Sequence, residues 1–333
     1  MEFETETNEI QVGVVGLGLM GSSIVVALLV AGHPVSGVAP LPGEVDGALQ
    51  RIKSHLRHCQ ESNLLSQPIE SYLERLTLSE DYQILNNCRL VQECVVEIKE
   101  IKAEVYKKIH EATREDVIVS SNTSAIPISM LQELSPVPER FLGIHWAEPA
   151  YLTRFLEITK GQQTSDETGQ WVFQLAHSWD KEPTFLQKDV RGFVTNRLMY
   201  AVYREIFHLI EKGETNLEDV DKAWRYDAGS WMTFMGIFRR MDYLGLEDFP
   251  QICRNTFPKL NKMTRVPEVM QTIADERARG IQDGKGLFTY SGEEAKHWEE
   301  AFAAFNKDIF RLAEKYPSRP LSDKSEIQQG DDK

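Results

Sequence analysis

The sequence predicts an α/β chain: a doubly wound, mostly parallel sheet in the N-terminal part, followed by an all-α C-terminal domain. Three observations predict it. Short apolar runs alternate with helix-length stretches in the first part of the chain, the pattern that builds a parallel sheet with helices on both faces. A G-x-G-x-x-G turn, Gly16 to Gly21, joins the first apolar run to the first helix. From Gly192 onward no strand pattern is found, and the apolar periods are helical.

Val12-Gly13-Val14-Val15 reads as a strand buried on both faces. The run from Ile24 to Ala31 has helix length and closes on Gly32 and His33-Pro34, a helix stop. Val35 to Val38 then reads as a second strand. In the turn, Gly16 permits the tight bend, Gly18 lets backbone approach a pyrophosphate, and Gly21 lets the helix pack on the strand. The unpaired N–H groups at the helix start can then hold an anion. Gly16, Leu17, Gly18, Leu19, Met20 and Gly21 are the candidate contacts to a dinucleotide. The acid that holds the adenosine ribose is expected about 20 residues further on. The chain reads Ala39-Pro40 there, with no carboxylate before Glu44 and no Arg before Arg51. This turn alone leaves both NAD and NADP open.

The 333 residues suffice for two domains. The net charge of −14 argues against nucleic acid as a partner. Cys59, Cys88, Cys94 and Cys253 form no C-x-x-C pair and no metal-like spacing, and read as reduced thiols. No apolar run approaches the roughly 18 residues of a membrane span, and the acidic start MEFETETNEI is unlike a leader peptide. The expected location is cytoplasmic.

The organisation expected is an acidic tail over 1–9, a dinucleotide-binding domain of Rossmann type over 10–187, a helical domain over 188–316, and a disordered polar tail over 317–333. A helical pair at about 45–78 interrupts the first domain and carries a basic patch, Arg51, Lys53, His55, Arg57 and His58. Further strands are read at 90–96, 116–120, 141–145 and 155–158, with a charged helix at 98–112. In the second part, helices are read at 193–211, 233–244, 266–279 and 293–315. Thr215-Asn216-Leu217-Glu218 reads as a capping box opening another.

Ligands in such sheets bind beyond the carboxyl ends of the strands, where Ser124 and His145 fall. Histidine holds or releases a proton near neutral pH, which suits removal of a hydroxyl proton as hydride leaves. Glu157 lies in the next strand, 12 residues after His145. A carboxylate there would fix the imidazole tautomer and balance its charge.

With these residues in place the chain resembles the L-3-hydroxyacyl-CoA dehydrogenases from about Val12 to Tyr290. GLGLMGSSI resembles that family's dinucleotide turn, ECVVEIKEIK its cofactor segment, SSNTSAI its S-N-T-S turn, HWAEPAYLTRFLEI its His–Glu pair and KDVRGFVTNR its domain junction. FMGIFRRMDYLGLED and GIQDGKGLFTY resemble two motifs of its helical domain. The resemblance implies NAD as cofactor, contacted by Glu97 and Lys102, with Asn122 lining the nicotinamide side. It implies His145 as base, Glu157 as its partner, and Ser124 and Asn196 as hydrogen-bond donors to the reacting oxygen. It also implies a homodimer through the helical domain and a role in fatty acid metabolism.

The departures bear on the substrate. The family's H-x-x-N-P reads His145-Trp146-Ala147-Glu148-Pro149 here, so Glu148 places a carboxylate where an amide is usual. AGSWMTF, residues 228–234, looks closer to the lambda-crystallin, gulonate and carnitine dehydrogenases, which act on small polar hydroxy acids. The first expectation is interconversion of an L-3-hydroxyacyl-CoA and a 3-oxoacyl-CoA, with Lys53 in a patch that meets CoA phosphates. The alternative is a small polar 3-hydroxy acid without CoA, with Glu148 in the substrate site. A third reading is a dinucleotide-binding protein without turnover.

Overall fold

The computed structural model describes residues 6–316 and divides into two compact units, one up to Arg197 and one from Leu198. The first unit is built on a sheet of eight strands: β1 (Val12–Val15), β2 (Val35–Val38), β3 (Leu76–Ser79), β4 (Leu90–Glu93), β5 (Ile118–Ser121), β6 (Phe141–Trp146), β7 (Phe155–Lys160) and β8 (Glu182–Leu186). Their order is β3-β2-β1-β4-β5-β6-β7-β8. Every neighbouring pair is parallel except β6 and β7, which run antiparallel. The order reverses between β1 and β4, the switch point at which open α/β sheets bind ligands.

Helices cover both faces: α1 (Leu19–Val30), α2 (Val45–Glu61), α3 (Ile69–Leu73), α4 (Lys99–Ala112), α5 (Ile128–Gln132) and α6 (Asp166–His177). β1, β2, β4 and β5 are buried along their whole length, which is why they read as unbroken apolar runs. One core layer gathers Ile24, Leu28, Ile52, Leu56 and Trp171; the other gathers Tyr106, Ile109, Ile128 and Leu131. Burying each such Leu or Ile contributes about 1.5–3 kcal/mol.

Several elements of this unit differ from the sequence reading, the short helix α5 among them. The expected helical pair is present as α2 and α3, but residues 76–79 leave it to form β3 beside β2. Helix α6 is an additional element, opened by the Ser165 side chain, which accepts from Thr168 N–H. Strand β8 is an outer strand carrying Pro183, tolerated at an edge because the missing N–H faces no neighbour.

The second unit contains most of α7 (Thr195–Glu211), then α8 (Leu217–Ala223), α9 (Gly229–Leu244), α10 (Phe249–Thr256), α11 (Glu268–Asp275) and α12 (Gly292–Lys315). Among its described residues there is no strand, only isolated bridges at Lys285. The cap expected at Thr215 falls one residue later, on Asn216, whose side chain accepts from Asp219 N–H at 2.9 Å. Helix α9 starts earlier than read and breaks at Gly236, which has φ 72°. In the acidic N-terminal stretch, Thr7–Glu9 form a single 3₁₀ turn; residues 1–5 and the tail 317–333 lie outside the described residues.

Candidate active site

The glycine turn has the form a pyrophosphate needs. Gly16 has φ 92°, and a Cβ on it would lie 2.9 Å from the Cys94 backbone. A Cβ on Gly21 would lie 1.8 Å from the Gly16 carbonyl oxygen, so Gly21 lets α1 pack on the turn itself. A Cβ on Gly18 would meet nothing within 4 Å. Gly18 is the N-cap of α1 and has no side chain to cap the first N–H groups, which leaves them to an anion. Leu17 braces the turn from behind: its side chain is buried, and its carbonyl accepts from Ser22 Oγ and from Arg51 Nη2, both at 2.8 Å. Ala39, where the ribose acid was expected, is fully buried, and its N–H is bonded to Ser79 O.

Beyond the strand ends lies a cavity of ≈ 310 Å³ lined by Met20, Glu97, Lys102, Asn122, Ser124 and His145 among others. It brings together residues drawn from four separate motifs. The helical unit holds a larger apolar hollow of ≈ 680 Å³, but none of the motif residues singled out for cofactor or proton chemistry lines it.

His145 and Glu157 are direct partners in the antiparallel β6–β7 register. Their side chains therefore leave the same face of the sheet, and Nδ1 of His145 lies 3.3 Å from Oε2 of Glu157. A carboxylate only accepts, so Nδ1 carries the proton and Nε2 is left as the basic nitrogen. Glu157 is 1% exposed and His145 18%. The other oxygen of Glu157 accepts from Val194 N–H at 3.0 Å.

The segment that carries Glu97 and Lys102 rests on a carboxylate that sequence reasoning missed. Glu93, at the end of β4 and fully buried, receives Lys102 Nζ at 2.7 and 2.9 Å, Val95 N–H at 2.7 Å, Tyr106 Oη at 2.9 Å and Ser121 Oγ at 2.7 Å. Burial and the Glu93 charge push the Tyr106 phenol far up. Lys102 is thus anchored from below and also faces Glu97 at 3.5 Å. Glu97 in turn accepts from Ser124 N–H at 3.2 Å. Asn122 Oδ1 accepts from Trp146 N–H at 2.9 Å, which fixes β6 next to His145. The signal in the sequence was the acid closing the apolar run of β4.

The loop after His145 is held from three sides. Lys181 Nζ donates to the carbonyls of Ala150 and Thr153 at 2.6 and 2.5 Å, and burial pushes its ammonium down to about 8. Ala150 N–H donates to Ser23 Oγ at 2.8 Å. Tyr151 Oη bonds Nδ1 of both His55 and His58, at 3.0 and 3.1 Å. Glu148 lies in this loop. Its Oε2 is buried with no protein partner, and burial raises its carboxyl above the usual range, opposed by a hydrogen bond with Ser23.

The expected basic patch is largely consumed by the fold. Arg51 serves the glycine turn and His55 and His58 serve Tyr151; Lys53 and Arg57 lie on another stripe of α2. Asn196 sits on the first turn of α7, two positions past Val194. Asn196, Glu148 and Lys53 are not among the residues lining the cavity around His145.

The two glycines separate binding from folding. Gly18→Ala is expected to leave the thermal midpoint within a few degrees, while NADH affinity by fluorescence titration falls about tenfold or more, the 1.4 kcal/mol of a lost close approach. Gly21→Ala is expected to lower both, because its methyl meets a carbonyl oxygen. Equal behaviour of the two variants would contradict this reading of the turn.

Two family models match successive parts of the chain: the 3-hydroxyacyl-CoA dehydrogenase NAD binding domain over residues 11–190 and the C-terminal domain of the same family over 192–290. A 5-formyl-3-hydroxy-2-methylpyridine 4-carboxylate 5-dehydrogenase of Mesorhizobium japonicum is 30% identical over 288 residues, covering 86% of this chain and 92% of that protein. An L-carnitine dehydrogenase of Staphylococcus epidermidis is 28% identical, covering 91% of this chain and 94% of that one. Among solved structures, an NAD⁺-dependent dehydrogenase and dismutase of the same pyridine carboxylate superposes with a TM-score of 0.84 at 28% identity, covering 91% of this chain and 98% of that chain. The strand–turn–helix, the His–Glu pair and both halves of the chain thus point one way: this protein belongs to the 3-hydroxyacyl-CoA dehydrogenase family and is an NAD-dependent oxidoreductase.

Proposed function

We propose that the enzyme oxidises a secondary hydroxyl of a small polar hydroxy acid that is not carried on CoA, with His145 as the general base. The observation that carries the chemistry is the His145–Glu157 pair, set in register at the edge of the cavity that Lys102 and Asn122 also line. NAD, held at the glycine turn with Glu97, Lys102 and Asn122 beside it, would supply the hydride acceptor. His145 Nε2 takes the hydroxyl proton, and Glu157 holds the ring and balances the imidazolium. Ser124, on the same cavity, donates a hydrogen bond to the reacting oxygen as it gains negative charge; for Asn196, which does not line that cavity, the same role rests on the resemblance of its motif alone.

The substrate reading rests on the consumption of the basic patch. CoA carries phosphates, and Arg51, His55 and His58 are already engaged within the protein. The names of two relatives, for a pyridine carboxylate and for L-carnitine, include no CoA. The second reading, a 3-hydroxyacyl-CoA, is favoured by the family profile and by Lys53 and Arg57, which no such bond occupies.

A screen with NAD against free hydroxy acids and against 3-hydroxyacyl-CoA thioesters decides between them. Turnover is expected on the former and not the latter; the reverse pattern would overturn the substrate. In either case His145→Ala is expected to lower kcat by about 10²–10⁴-fold, and an unchanged rate would remove His145 as base.

The helical unit supports a homodimer. Among its described residues Phe310 is the single buried large hydrophobic, while Tyr200, Phe238 and Tyr243 are 70%, 81% and 73% exposed. A helical unit without its own core needs cover. Light scattering is expected to give about twice the 38.1 kDa chain mass, and the mass of a single chain would contradict it.

A further inference from the structure

Residues 190–194 lead into α7 through two successive left-handed positions. Gly192 has φ 82° and suits it; Phe193 has φ 48° and does not. A bulky residue held there is strained, and such strain gathers at functional sites. The turn is closed by Phe193 N–H to Val190 O at 2.9 Å and by Arg197 N–H to Gly192 O at 3.0 Å. It is tied to the sheet domain by Asp189, whose carboxylate accepts from Ser129 N–H and Oγ at 2.7 and 2.9 Å.

The strained conformation achieves two things at once. It points Val194 N–H at Glu157 Oε1, at 3.0 Å, so the carboxylate that faces His145 is held through its other oxygen. It also turns the Phe193 ring, 2% exposed, against the imidazole: the centroids are 5.8 Å apart with the planes at 36°. Phe155 stands edge-on to the same imidazole at 5.7 Å and 86°. The imidazole is thereby set between two aromatic rings and a carboxylate.

We infer that Phe193 is a positioning residue for the His145 base, its ring holding the imidazole against Glu157 and favouring the imidazolium that forms on proton transfer. A ring quadrupole attracts a cation within about 6 Å of its centroid, so the interaction strengthens as the proton arrives, when it serves the reaction. The charged groups near the imidazole are Glu157 on β7 and, on the shared cavity, Glu97 and Lys102; replacing Phe193 alters none of them. The inference rests on the reading of His145 as base.

The test is Phe193→Leu, which keeps an apolar side chain at the site but removes the aromatic face, with Phe193→Tyr restoring the face. For Phe193→Leu, kcat of alcohol oxidation is expected to fall about tenfold, with KM for NAD within about twofold. The acidic limb of the kcat/KM profile is expected to move about half a pH unit lower, matching a lost attraction of 0.5–1 kcal/mol. Phe193→Tyr is expected to return the limb to its wild-type position. If the limb stays in place, with or without a fall in thermal stability, Phe193 only fills space and the inference fails. If His145→Ala, measured alongside, keeps full activity, it is the base assignment that fails.

Discussion

The antiparallel pairing of β6 with β7 is the constraint on which the site depends. Every other neighbouring pair in the sheet is parallel. A parallel connection needs a crossover of a dozen or more residues, whereas the β6–β7 hairpin uses only the loop between Trp146 and Phe155 and sets His145 directly across from Glu157. A one-residue slip in this register would send one of the two side chains to the opposite face. The loop bonds made by Lys181, Ser23 and Tyr151 secure that register from outside the sheet.

Two buried carboxylates divide the work of the site. Glu93 fixes Lys102 and the β4 turn at one end of the cavity; Glu157 fixes His145 and the junction into α7 at the other. Charges this deep are costly unless saturated with donors. Glu93 is saturated within its own β4–α4–β5 neighbourhood. Glu157 takes its partners from β6 and from the segment that begins α7, so the His145 imidazole is tied to the backbone that leads to Asn196.

The sequence made the centre of the fold readable because buried parallel strands are unbroken apolar runs and because the turn tolerates only glycine at Gly16 and Gly21. The His–Glu pair was readable because a spacing of 12 fits a hairpin. The outer strands were not: β3 reads Leu-Thr-Leu-Ser and is only partly buried, so it makes no apolar run, and Pro183 interrupts the β8 pattern. That part of the basic patch turns inward was not readable, because sequence shows charge and not direction. Arg51, His55 and His58, at i, i+4 and i+7, share a stripe of α2 beside the apolar stripe of Ile52, Leu56 and Cys59, so they pack inward. The role inferred for Phe193 was not readable: the pattern reads it as the start of the helix 193–211, whereas it stands before Thr195 in a left-handed conformation.

The most direct test of the account is the pH dependence of kcat/KM for alcohol oxidation by Glu157→Gln against the wild type. The amide keeps the shape of the side chain and removes the charge that favours imidazolium. The account predicts a rate lower by about 10²-fold or more, with an acidic limb displaced to lower pH. A variant with wild-type rate and an unmoved limb would show that the His145–Glu157 pair is not the acid–base centre.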